Sequence, residues 1–170
     1  EIPKRDWSSD VCSSDLQNGS NWIGTPDGRE GWAQFFLKRG YGVYVMDQPG
    51  RGRTIYDPAY ATPYHASNDV EVAARYGDTG RYDLYPQAKI HTQWPGPGMP
   101  GDPVFDEFYA SQMATIPDQE VNQHLARDAA TALLDQIGPA IIMTHSQGGA
   151  IGWVIADARP DLVKGVVAVE

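Results

Sequence analysis

Cysteine is almost missing from this 170-residue chain: Cys12 stands alone, which excludes an intrachain disulfide. Positive charge is scarce as well. Thirteen Lys and Arg stand against 22 Asp and Glu, a formal net charge of −9, so the basic clusters that a nucleic acid or an anionic membrane requires are not provided. No apolar run approaches the ~20 residues that span a bilayer as a helix. Among the four histidines no pair has metal-ligand spacing with Cys or carboxylates, and no metal or cofactor is expected. What is present, 41% hydrophobic residues and five Trp, suffices for one domain with a real core.

Residues 1–16 look foreign to the rest. Asp6-Trp7-Ser8-Ser9-Asp10-Val11-Cys12-Ser13-Ser14-Asp15-Leu16 resembles a translated sequencing-library adapter, the alternative being a native serine-rich tail. The segment is therefore set apart from fold reasoning as a non-native fusion, with residues 17–170 as a partial domain that has lost its true N-terminus.

From there the chain has the rhythm of an α/β protein with a parallel sheet. Turn formers fill 19–28. Residues 29–39 carry Trp32, Phe35 and Phe36 at helical spacing, with Gly40 as the stop. Gly42 to Met46 reads as a strand, followed by the Gly-rich turn Asp47-Gln48-Pro49-Gly50-Arg51-Gly52-Arg53. Residues 54 to about 117 break the pattern with most of the tyrosines and prolines, including Trp94-Pro95-Gly96-Pro97-Gly98-Met99-Pro100-Gly101. That composition predicts a cap or lid, with short helices at 68–76 and 103–113, rather than a disordered linker. Asp118 to Ile137 reads as an amphipathic helix whose apolar face is Val121, Leu125, Ala129, Ala132, Leu133 and Ile137. Pro139–Met143 reads as a buried strand, Gly149–Asp157 as an apolar helix, and Val163–Val169 as another buried strand.

The chemistry concentrates at Thr144-His145-Ser146-Gln147-Gly148-Gly149. A serine on a sharp strand-to-helix turn is the nucleophile elbow, where strain lifts the hydroxyl clear of the sheet and small neighbours let strand and helix approach. The usual pattern is Gly-x-Ser-x-Gly; here Thr144 replaces the first Gly. The plainer alternative is a serine capping the following helix. A serine nucleophile needs a histidine base, a carboxylate to orient it and oxyanion donors. Glu170, at the end of the strand after the elbow, is a suitable acid, or else a solvated strand-end glutamate. His145 adjoins the serine but points elsewhere, His65 and His91 fall in the insertion, and His124 reads as a surface residue of its helix. Asp47 with Arg51 and Arg53 reads as a loop-pinning ion pair rather than a phosphate site, because the third glycine of a dinucleotide fingerprint is missing. Trp22, Tyr56, Tyr60 and Trp94 could wall an apolar pocket or be core.

Asp27-Gly28-Arg29-Glu30-Gly31-Trp32, Phe36-Leu37-Lys38-Arg39-Gly40-Tyr41, the turn 47–53, His145-Ser146-Gln147 and Val169-Glu170 together resemble a group of bacterial and fungal capped α/β-hydrolase esterases. Their triad acid is a glutamate after strand six. The likeness covers roughly 19–53 and 139–170. It implies an incomplete α/β-hydrolase fold with helices on both faces of the sheet. It also implies Ser146 as nucleophile, Glu170 as acid and the Gln147 backbone N–H as an oxyanion donor. The implied reaction is cleavage of a small carboxylic ester through an acyl-enzyme, without a cofactor. Lactone or amide hydrolysis, or a non-catalytic binding protein of this fold, are the alternatives. The expected His-Gly strand and loop before Gly19 is missing, and the catalytic histidine is expected beyond Glu170, so the isolated chain should be inactive and poorly stable. The resemblance points to a secreted or periplasmic protein; assembly into a homo-oligomer stays open.

Overall fold

The computed structural model describes residues 7–11, 17–25, 28–54 and 64–169. Four strands form one sheet, all parallel: β1 (Trp7–Val11), β2 (Gly42–Met46), β3 (Ala140–His145) and β4 (Val163–Val169), in the order β2-β1-β3-β4. Consecutive residues of a strand point to opposite faces, and β3 divides its side chains accordingly. Ile142 joins a core with Ala126, Ala130, Leu134, Ile151 and Ile155, while Met143 joins Trp22, Phe36 and Val45. The first cluster draws on helices α6 (Gln119–Ile137) and α7 (Gly148–Ala158), and the second on α1 (Ser20–Ile23) and α2 (Trp32–Lys38). Helices therefore lie on both faces, as in parallel sheets generally, but β4, expected as a buried strand, leaves Lys164, Val167 and Ala168 exposed.

Residues 1–16, set apart from the fold in the sequence, contribute β1, so a strand does precede Gly19 where none was expected. Trp7 pairs with both Gly42 and Ala140, so the strand lies between β2 and β3. Backbone pairing asks only for an extended chain of the right length. Trp7-Ser8-Ser9-Asp10-Val11 lacks the continuous apolar character usual for an inner parallel strand, which is why composition did not reveal it.

Two further differences have clear causes. The buried stripe of α6 is Asn122, Ala126, Ala130, Thr131 and Leu134, one position round from the face expected. The small alanines allow close packing, and Asn122 is buried because its Nδ2 donates to Gln48 Oε1 at 3.2 Å. With Asn122 and Thr131 on it, the inner face of α6 is not the most apolar one. Second, α1 occupies a stretch read as turns; at four residues it is too short to show periodicity.

Between β2 and α6 the insertion holds α3 (Asp69–Tyr76), α4 (Thr79–Tyr82), a 3-10 turn at Ala88–Ile90 and α5 (Pro103–Ala110). The two helices expected at 68–76 and 103–113 are α3 and α5. Asn68 and Glu71 form a reciprocal capping box at the start of α3, and Asp102 with Pro103 opens α5. The insertion has its own core of Val72, Ala73 and Phe105, flanked by Tyr76, Trp94, Phe108 and Tyr109. Its ends meet: His65 and Thr115 exchange backbone hydrogen bonds of 2.9 Å. Among the described residues no helix is long and apolar enough to cross a membrane.

Candidate active site

Ser146 stands on the turn between β3 and α7 with φ +53°, one of two non-glycine residues in the left-handed region among those described. That conformation costs an L-residue roughly 1–2 kcal/mol and persists only where the surroundings impose it. Here they do. The Ser146 N–H donates to Val169 O at 2.9 Å, and Gly149 N–H donates back to Ser146 O at 2.7 Å. The first bond fastens the turn to the last described residue of β4, so the C-terminal ends of β3 and β4 lie side by side. Glu170 follows Val169 directly and lies outside the described residues.

The capping alternative for the serine does not describe this turn. Helix α7 has Gln147 as its N-cap, and no side chain caps it. The Gln147 N–H thus sits at a helix N-terminus, where unpaired amides and the helix dipole favour negative charge.

Thr144, in place of the expected glycine, is fully buried, and its hydroxyl has no partner among the described residues. Room for it comes from the opposite wall. Gly152 of α7 faces it so closely that a Cβ there would stand 3.1 Å from Thr144 Oγ1 and 3.2 Å from its Cγ2. The glycine that lets strand and helix approach has moved from β3 to α7.

Next to the turn lies the Gly-rich loop after β2. Asp47 is buried, and its carboxylate accepts from Gly19 N–H at 2.6 Å, Arg53 N–H at 2.8 Å and Arg53 Nε at 2.9 Å. Burial pushes the Asp47 carboxyl up. Hydrogen bonds from the Arg53 side chain, then from the backbone of Arg53 and Gly19, outweigh burial and hold it below its ordinary value. A Cβ at Gly52 would stand 2.5 Å from Asp47 Oδ2, so the loop can close on this carboxylate only with glycine there. The loop-pinning reading applies to Asp47 and Arg53. Arg51 does something else: it is buried, donates from Nη2 to Gln147 Oε1 at 2.6 Å, and donates from Nε to Thr115 Oγ1 at 3.1 Å.

The proposed aromatic wall does not form as one surface. Trp22 packs with Met143 and edge-on to Trp32 at 5.3 Å, whereas Trp94 belongs to the insertion core against Phe105 and Phe108. Tyr56 and Tyr60 lie outside the described residues. An apolar cavity of about 480 Å³ is lined by Trp32, Phe35, Phe36 and Met143 with Glu30 and Lys38; it takes Met143 from β3 but not Ser146. Of the histidines, His65 lies against Ser67, and His91 meets Tyr76 O at 3.1 Å within the insertion. His124 is exposed on α6, and His145 pairs with Val169 in the sheet.

No family model matches the chain. It is similar to a protein named "Probable secreted lipase phiG" from Fungal sp. (strain ATCC 74256), 51% identical over 154 residues. That match covers 91% of this chain and 42% of the lipase. Its backbone is similar to a solved structure described as a novel bacterial esterase, with a TM-score of 0.67 and 25% identity. There the overlap is 97% of this chain and 54% of the esterase. The fold is an incomplete α/β-hydrolase fold. The chain spans about half the length of these two proteins, one named a lipase and the other an esterase. The parallel sheet and the helices on both its faces are the parts of that fold described here.

Proposed function

We propose that these residues form part of a serine hydrolase that cleaves carboxylic esters of small molecules through an acyl-enzyme. Ser146 is the nucleophile. Its left-handed φ of +53° on the turn between a buried strand and a helix is the observation that carries the reading, since that geometry costs stability and serves to present a side chain. The Gln147 N–H, at the start of α7, donates to the oxyanion. Glu170, the residue after Val169, orients a histidine that takes the serine proton and returns it to the leaving alcohol. None of the four histidines in this chain is assigned that part; in the whole protein it falls to a histidine outside these 170 residues. The relatives named lipase and esterase support ester cleavage, and the one called secreted supports export.

The test uses the whole protein. A fluorophosphonate probe should label wild type and not Ser146→Ala, and the substitution should lower turnover of a p-nitrophenyl ester by on the order of 10⁶. Undiminished turnover in Ser146→Ala would overturn the reading. Absence of both labelling and turnover in wild type would favour a binding protein.

A further inference from the structure

The geometry points to Arg51 as a positioning residue for the oxyanion donor, coupling the insertion to the serine turn through the side chain of Gln147. This inference rests on reading Ser146 as the nucleophile and Gln147 N–H as its oxyanion donor.

Three chain segments far apart in sequence meet at one guanidinium. Arg51 belongs to the loop after β2, and only 2% of its surface is exposed. Its backbone is fixed first: the N–H donates to Gln48 O at 3.0 Å and to Thr54 Oγ1 at 2.9 Å. Its Nε donates to Thr115 Oγ1, and Nη2 reaches Thr115 Oγ1 and Gln147 Oε1. Thr115 is itself placed by its backbone pairing with His65, where the two ends of the insertion close. The planar fork of an arginine can hold two acceptors at a fixed angle, which a lysine ammonium cannot.

Gln147 is where this matters chemically. Its backbone must present an N–H to an oxygen that becomes negative only in the transition state, and such donors act by being held in place beforehand. Ser146 on one side is strained, and the helix on the other begins without a side-chain cap. The Arg51 contact supplies the lateral hold. A shift of Thr115 moves Arg51 and with it Gln147, so the closure of the insertion's ends is coupled to the turn.

The experiment is a kinetic cycle in the whole protein with Arg51→Lys, Gln147→Ala and the double variant, beside Ser146→Ala. Gln147→Ala keeps the backbone N–H and loses only the side chain that Arg51 holds. Each single variant should lower kcat about tenfold to a hundredfold, the range for a loosened donor, with KM changed less. The double variant should fall no further than the worse single one. A merely structural Arg51 would instead give additive losses and would leave Gln147→Ala at wild-type kcat; either result overturns the inference. If Arg51→Lys does not fold, Gln147→Ala decides, together with Thr115→Val, which should lower kcat in the same direction. Turnover surviving in Ser146→Ala would strike the underlying reading instead, so the two failures are told apart.

Discussion

The exchange of glycine between strand and helix at Thr144 and Gly152 gives a sharp stability test. In Gly152→Ala the added Cβ would lie 3.1 Å from Thr144 Oγ1, 3.1 Å from Val166 Cγ1 and 3.2 Å from Thr144 Cγ2. Carbon contacts are comfortable only at about 3.5–4.0 Å, so several tenths of an ångström must be recovered by moving a helix or a strand. Overpacking of this kind costs about 1–3 kcal/mol. Replacing glycine inside a helix returns about 1 kcal/mol through propensity. The balance is a loss of about 1 kcal/mol. In a Thr144→Ala background two of the three close contacts are gone, and the propensity gain should then dominate. Gly152→Ala should therefore be destabilising with threonine at 144 and neutral or stabilising with alanine there, a coupling of about 1–2 kcal/mol. Urea unfolding of the four proteins of this cycle measures it. An equal cost in both backgrounds would refute the argument and put the limit at Val166 or the helix backbone.

Other expectations follow from the same loops. Ser146→Gly should unfold at higher urea than Ser146→Ala by about 0.5–1 kcal/mol, because glycine relieves the left-handed strain that alanine keeps; equal midpoints would show that no strain is stored at the turn. Asp47 has a folded pKa below its unfolded value of about 3.9, so its contribution is fully present above that value and is lost as pH falls through the folded pKa. The stability gap between wild type and Asp47→Asn, about 1–3 kcal/mol from the lost charged hydrogen bonds, should be constant above about pH 5 and shrink in more acidic solution. A gap that widens on acidification would contradict this. Thr144→Val should leave stability unchanged or raise it by about 1 kcal/mol in thermal melts, since it removes a buried hydroxyl with no partner among the described residues.

Much of the frame was legible because each element carries its own punctuation. Gly138 ends α6 at φ +87°, Asp118 begins it by accepting from Glu120 and Val121, and the strands β2, β3 and β4 fall where the apolar runs were read. What escaped was relational. The inner face of α6 includes Asn122, whose burial makes sense only once Gln48 is opposite. Trp22 and Trp94 look interchangeable in sequence, yet they serve different cores. The turn carrying Ser146 was visible from its residue types, whereas the hold of Arg51 on Gln147 spans 96 positions and leaves no local trace. The strand Trp7–Val11 carries no apolar signature because pairing asks less of side chains than burial does.

The bridge between His65 and Thr115 joins the two ends of the insertion, and Gln17 Nε2, donating to Ser111 Oγ at 3.1 Å, ties the end of α5 to the segment before α1. For such a loop the entropy of joining its ends grows only with the logarithm of its length, about 0.6 kcal/mol for each doubling. The length of chain between the two residues therefore weighs little on the closure of those ends. Residues can thus be added or removed between them at small entropic cost, provided that the bridge and its threonine stay in place.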